Sequence, residues 1–174
     1  MNLFRKLFGK SEKEDTKPEL KKTNINDLLS AENINDSIIK VDEYISELCS
    51  WGDDIDKLST VQKNFWYNQN LEREINNGGF NQYFFNSSGD FAHETIHSLN
   101  EIKAFKTVDI LKEAMALFPG GEVPADRRKR QELLVDIQDN AEQKWNELDQ
   151  AFYCYEDDLN NLNMEYLREN KDKF

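Results

Sequence analysis

His93-Glu94-Thr95-Ile96-His97 sets two histidines four residues apart with a glutamate between them. On a helix, His93 and His97 fall one turn apart, a spacing that suits two ligands of a zinc ion. Glu94 would then stand where a general base activates metal-bound water. These are the two histidines of the whole chain, so a third ligand would have to be a carboxylate such as Glu113. A peptidase of this kind also holds its substrate by strand addition, and no stretch here alternates with the period of a strand. A helix beginning at Asp90 that buries Phe91 and Leu99 turns both histidines toward a more polar side. A zinc-dependent hydrolase is therefore the enzymatic alternative. The leading reading is a pair of partly exposed helical histidines, with no cofactor and no metal expected.

Other catalytic patterns are missing. There is no GxGxxG and no GKS/T phosphate loop, and the serines form no arguable set with a histidine and an acid. Arg127, Arg128, Lys129 and Arg130 make the one basic cluster of the body. A solvated or internally paired helix face explains it better than a phosphate site.

Carboxylates are the abundant functional group. Glu132, Asp136, Asp139 and Glu142 recur at spacings of four, three and three, and Glu147, Asp149, Glu156, Asp157 and Asp158 follow on the same segment. Helix residues three or four apart lie roughly 5–6 Å from one another. Such a row approaches the charge density of a nucleic-acid backbone, about one phosphate per 3.4 Å per strand. A cationic groove could accept this face in place of DNA. The bland alternative is a solvated helix surface, the usual fate of a charge run.

The elements that must carry these groups are helical. Charge is uneven: residues 1–22 hold seven Lys/Arg and four Asp/Glu (+3), leaving 15 basic and 30 acidic residues, a balance of −15, in the remainder. That body repels nucleic acid and anionic membrane and favours a basic partner. Residues 1–22 read as a disordered basic tail, charged and without an apolar period after Lys10. Leu3, Phe4, Leu7 and Phe8 are too short a face for stable membrane association, and Arg5 and Lys6 interrupt any secretory pattern. Residues 23–174 read as one compact domain. Ile38, Val41, Tyr44, Ile45 and Leu48 carry one helical period, and Ser59 with Gln62 makes a capping box for the next helix. That helix stops at Asn76-Asn77-Gly78-Gly79. Asp90 is the expected N-cap of a following helix, Val108 to Phe118 forms another, and Pro124 suits a helix start. Ala141, Trp145, Leu148, Phe152, Tyr155, Leu159, Leu162 and Tyr166 then alternate spacings of four and three, as one long helix or two nearly in line. The expectation is an all-α fold of about six to eight helices with a long C-terminal helical segment. Cys49 and Cys154 lie beside apolar positions and read as reduced, core-type thiols of a cytoplasmic protein.

The segment Asn77-Gly78-Gly79-Phe80-Asn81-Gln82-Tyr83-Phe84-Phe85-Asn86, preceded by Glu74, resembles the signature of a bacterial family of small helical domains whose best-known member is a DNA-mimic protein. Phe118-Pro119-Gly120-Gly121, Arg130 and Asp149-x-x-Phe152-Tyr153 extend the resemblance over roughly residues 36–170. It implies an acidic, helical, non-enzymatic protein that binds a basic DNA-binding or regulatory protein in place of DNA, with dimerisation a secondary expectation. An acidic immunity or antitoxin-type protein would use the same electrostatics. The signature holds Asn77, Gly78, Gly79, Phe80, Gln82, Tyr83 and Asn86 and a single acid, so it reads as fold-defining. Asn77, Gln82 and Asn86 would hydrogen-bond a tight corner, or alternatively line a small polar pocket. Where the family often reads Ile-Gly-Ala this chain has Ile102-Lys103-Ala104, so a helix junction is expected to differ there.

Overall fold

The computed structural model describes residues 24–174; the basic tail inferred for residues 1–22 lies outside them. Seven α-helices and no strand occur among the described residues: α1 (Ile25–Ser30), α2 (Ile34–Leu48), α3 (Thr60–Phe85), α4 (Ala92–Glu101), α5 (Phe105–Met115), α6 (Arg127–Phe152) and α7 (Leu159–Glu169). None of these helices is long and apolar enough to cross a membrane. The all-α expectation holds.

Helix α3 is the hub, packed against α2, α4, α6 and α7. The Ser59–Gln62 capping box opens it, with both reciprocal hydrogen bonds formed. Its buried face runs through Phe65, Leu71, Ile75, Phe80, Tyr83 and Phe84. Phe84 meets Phe118 edge-on at 4.9 Å between ring centroids and lies 5.6 Å from Trp145, whose indole N–H donates to the Ala114 carbonyl at 3.1 Å. Large rings of this kind supply most of the burial that holds the helices together. A buried polar chain crosses the same core: the Asn64 amide donates to the Tyr166 hydroxyl, the Asn68 amide to Asn163, and the Ser98 hydroxyl to Asn68.

Several boundaries differ from the sequence reading. Helix α3 continues past Asn76-Asn77, but is broken at Gly78 and Gly79 so that Phe80–Phe85 restarts in a new direction. Asp90 caps nothing; α4 begins at Ala92 with no side-chain cap, and Asp90 instead receives Arg127 and Arg130. Asp126, not the Pro124 region, caps α6, accepting from the Lys129 amide at 2.9 Å. The C-terminal period covers two helices: residues 153–158 intervene, and Tyr155 takes a positive φ of 46°. The spacing survives because Leu159, Met164 and Leu167 return to the same core. Of the cysteines, Cys49 is buried as expected, but Cys154 is exposed; both are free thiols.

Lys103 occupies the left-handed region, with φ of 64°. It sits just past α4, where the Ala104 amide donates back to the Leu99 carbonyl and the Lys103 amide to that of Asn100. This paired arrangement is the helix-ending motif that normally takes glycine. The junction therefore keeps the glycine geometry although its residue is lysine. Replacing Lys103 with glycine should raise stability by about 1 kcal/mol, the approximate cost of a side chain held in this conformation, read as an upward shift of the urea midpoint. Gly79→Ala should do the opposite. Gly79 has φ 71° and ψ −171°, a region essentially restricted to glycine, and an added Cβ would lie 2.1 Å from the Asp149 Oδ2. A loss of ~3 kcal/mol or more in the same denaturation assay is expected.

Candidate functional site

The break in α3 leaves backbone groups that a continuous helix would have paired with each other. In an unbroken helix the amide of Phe80 donates to Asn76 and that of Gly79 to Ile75. Here the Phe80 amide donates to the Asp149 Oδ1 at 2.8 Å, and the Ile75 carbonyl accepts from the Tyr153 hydroxyl at 2.8 Å. Both partners come from the end of α6, one turn apart. The Asp149-x-x-Phe152-Tyr153 motif thus satisfies the two sides of the Asn77-Gly78-Gly79-Phe80 break. Burial pushes the Asp149 carboxyl above the usual range, and the Phe80 hydrogen bond opposes that shift.

Glu74 organises the polar half of the signature. Its carboxylate accepts from the Gln82 amide at 2.7 Å, the Asn86 amide at 2.8 Å and the Ser88 hydroxyl at 2.9 Å. Gln82 and Asn86 therefore brace the corner, as the sequence suggested, while Asn77 is exposed. The side-chain amides of Gln82 and Asn86, which the sequence also allowed as the lining of a small polar pocket, are engaged by the Glu74 carboxylate. Nothing local in the sequence marked Glu74 as a hub, because its donors lie eight, twelve and fourteen positions ahead, across the break.

Arg130 ties the far end of the signature to α6. Its side chain is wholly buried, and the guanidinium donates to the Phe84, Asn86 and Pro124 carbonyls at 2.6, 2.9 and 2.7 Å, and to Asp90. The basic cluster thus resolves into internal pairing for Arg127 and Arg130, both on Asp90, and a surface pair from Arg128 to Glu132 at 3.1 Å.

The nine carboxylates nominated from sequence separate into two groups. Asp149 is buried and engaged with Phe80, so its assignment to a partner face is corrected. Asp157 accepts from the Thr107 amide and hydroxyl at 2.7 and 3.0 Å, capping the first turn of α5 from across the fold. Asp158 is the N-cap of α7. These three do structural work because each meets backbone donors at a helix start, where carboxylates are favoured. Glu156 is exposed on the loop between α6 and α7.

The other five remain on the outside of α6. Glu132, Asp136, Asp139, Glu142 and Glu147 are all exposed, opposite the buried Leu134, Ala141, Trp145, Leu148 and Phe152. Glu132 is paired with Arg128, but no ion pair reaches Asp136, Asp139, Glu142 or Glu147 among the described residues; Lys144, between them in sequence, turns instead to Glu113 on α5 at 3.1 Å. Asp139, Glu142 and Glu147 line one shallow surface depression with Gln143 and Gln150. The shared helix side expected for Glu132, Asp136, Asp139 and Glu142 is present, while the run of exposed carboxylates on α6 stops at Glu147.

The histidine pair is also placed. His93 and His97 are exposed on α4, beside a hollow of about 430 Å³ that Tyr67 and Lys63 of α3 share with Glu94. The His93 Nε2 lies 3.1 Å from the Val123 carbonyl, so that nitrogen carries the proton and donates. Burial pushes the Tyr67 phenol up to about 12, with the Glu94 charge adding to the shift. Among the described residues, no three His, Cys, Asp or Glu side chains gather where a metal ion could be held, and Glu113, nominated as third ligand, is paired with Lys144.

A family model described as DMP19-like protein matches residues 56–170. That span begins just before the capping box of α3 and ends after α7, so it takes in the glycine break, the Glu74 corner, Arg130 and the whole of α6. No curated protein and no solved structure matches the chain.

The raised Asp149 carboxyl has a sign that can be tested. A native value above the unfolded one, about 3.9, means the folded state binds the proton more tightly. Stability then falls as pH rises from about 4 through the native value, and the cost of the buried charge is fully present above it. Asp149→Asn keeps an acceptor for the Phe80 amide and removes the charge. Urea midpoints measured from pH 4 to 7 should show a shallower decline in the asparagine variant than in the wild type. Asp149→Ala, which leaves the amide unmet, should lose about 1–3 kcal/mol across the whole range.

Proposed function

Because the chain belongs to the DMP19-like family, we propose that it is an acidic interaction protein whose outer α6 face takes the place of DNA on a basic DNA-binding or regulatory protein. The observation that carries this reading is the set of four carboxylates, Asp136, Asp139, Glu142 and Glu147, left without ion-pair partners on one exposed helix face. Asp136, Asp139 and Glu142 follow one another at three-residue spacing, and like charges so placed on a helix destabilise it by a few tenths of a kcal/mol per pair. The fold gains nothing from that cost, whereas a cationic groove would.

The row is held on a rigid support. Helix α6 is fastened from its inner side by Arg130, Asp149 and Tyr153. Its charges are therefore presented in a set order before any partner arrives, and less conformational freedom is lost on binding. The same argument narrows the face. Of the nine nominated carboxylates, Asp149, Asp157 and Asp158 are committed to backbone donors, which leaves the exposed group on α6 and Glu156.

Affinity capture with the full chain at low salt should retain a basic protein that elutes as salt is raised, with affinity falling linearly on a log–log scale. Added duplex DNA should displace it, as competition for one groove requires; an immunity-type partner would be indifferent to DNA. The triple variant Asp136→Lys, Asp139→Lys, Glu147→Lys should abolish capture while melting normally. Retention of the same partner by that variant, or insensitivity to salt, would reject the proposal. Asp157→Lys provides a contrasting control: losing the cap of α5 should cost about 1 kcal/mol of stability, and any loss of capture by this variant should track unfolding.

A further inference from the structure

The hollow beside the histidine pair, of about 430 Å³, lies between the first turns of α3 and helix α4 and includes no residue of α6. Lys63, Asn64 and Tyr67 form its α3 wall, and His93, Glu94 and His97 its α4 wall. Asn64 and Tyr67 are three positions apart, so they sit side by side on one helix face. Both are nearly sealed in the core, at 4% and 8% exposure. The Tyr67 ring is packed against Phe91 and Trp66, at 5.2 and 5.8 Å between centroids, so its position is set in advance.

Each of the two residues still keeps one polar atom without a partner. The Asn64 amide nitrogen donates to the Tyr166 hydroxyl at 2.8 Å, but its oxygen, Oδ1, meets no donor among the described residues. The Tyr67 hydroxyl has no hydrogen bond there either. Neither atom is shut off from solvent, since the enclosed side-chain atoms that lack a partner belong to Asp42 and Asn163. The charges that act on the Tyr67 hydroxyl are those of Glu94, in the α4 wall, and Asp56, the partner of Lys63. The hydroxyl end of the ring is therefore the end at the hollow. Buried polar groups are ordinarily satisfied within the fold; here an acceptor and a donor stand open together on one wall. Burial pushes the phenol up to about 12, so at neutral pH it keeps its proton and donates.

The surroundings select the kind of group that can take up this pair. An anion would meet the charges of Glu94 and Asp56, and Lys63, the one lysine or arginine of the lining, is already paired with Asp56 at 3.1 Å. A cation offers no acceptor for the Tyr67 proton. No three side chains suited to a metal ion gather among the described residues. What matches is a neutral group with an N–H beside a C=O, and the volume falls within the roughly 300–1,000 Å³ of small-molecule sites. We propose that this hollow binds a neutral carboxamide, whose N–H donates to the Asn64 Oδ1 while its C=O accepts from the Tyr67 hydroxyl. The same edge is presented by a free ring carboxamide or by a glutamine side chain. The site shares no residue with the α6 face and stands or falls without it.

Titration of the full chain with nicotinamide at pH 7 tests this, followed by NMR through the ring signals of His93 and His97, the two histidines of the chain. Saturable shifts are expected. Nicotinic acid, with the same ring but a carboxylate in place of the amide, should not bind, nor should N,N-dimethylnicotinamide, which has no amide N–H. N-acetyl-glutamine methylamide carries the edge on a flexible stem. Tighter binding of nicotinamide identifies a free ring compound as the natural occupant, and tighter binding of the glutamine derivative identifies a protein side chain. Tyr67→Phe removes only the open hydroxyl, so it should keep the wild-type melting temperature while weakening nicotinamide binding at least tenfold. Shifts that never saturate, equal binding by nicotinic acid, or unchanged affinity in Tyr67→Phe would each overturn the proposal. So would a marked drop in that variant's melting temperature, which would mean that the hydroxyl is already spent inside the fold.

Discussion

A helix that breaks in the middle of a core strands hydrogen-bonding groups where water cannot easily reach them, and this fold is arranged around repairing one such break. At Gly78 and Gly79 the backbone of α3 turns through a conformation reserved for glycine, which frees the Ile75 carbonyl and the Phe80 amide. Asp149 and Tyr153 take up one group each. Further along, Arg130 donates to the carbonyls of Phe84 and Asn86 at the end of the same helix, the latter also accepting from the Gly89 amide. Helices α3 and α6 are thereby joined at backbone level as well as through their aromatic faces. Buried polar groups satisfied this fully fix one arrangement in a way that apolar packing alone does not.

That constraint decides which charges are left for other work. Of the many acids, those near helix starts or the break are absorbed: Asp149 by Phe80, Asp157 by α5, Asp158 by α7, Asp90 by Arg127 and Arg130, and Glu74 by three donors of its own segment. The carboxylates on the outer side of α6 meet no such demand. The proposed partner face is what remains of the nominated acids once the fold has used what it needs, and only the structure could make that subtraction.

The sequence carried the architecture well, because apolar spacing is set by burial and survives small shifts in boundaries. The capping box at Ser59, the interruption at the glycines after Asn77 and the inner seam of α6 were all legible as local patterns, although the helix resumes beyond the glycines. What failed was long-range by nature. Asp90 looked like a cap because it precedes a helical period, yet two arginines from nearly forty residues away claim it. Asp149 continued an acidic run in sequence while projecting to the inside of α6. Cys154 shared its neighbours' apolar surroundings but fell on the outer side at the end of a helix. The open polar atoms of Asn64 and Tyr67 had no sequence signal, since they depend on how α4 and α7 pack against α3.

The geometry of α6 also limits what its face could imitate. From Asp136 to Glu147 is eleven residues along a single axis, or about 16 Å at the rise of an α-helix. About five phosphates of one DNA strand fit in that length, against four carboxylates here, so the linear densities are close. A duplex, however, offers a second line of phosphates across its groove, and one helix offers none. A single chain would thus engage half of a groove-binding protein's cationic contacts, leaving the other half open to a second acidic surface or to the nucleic acid itself.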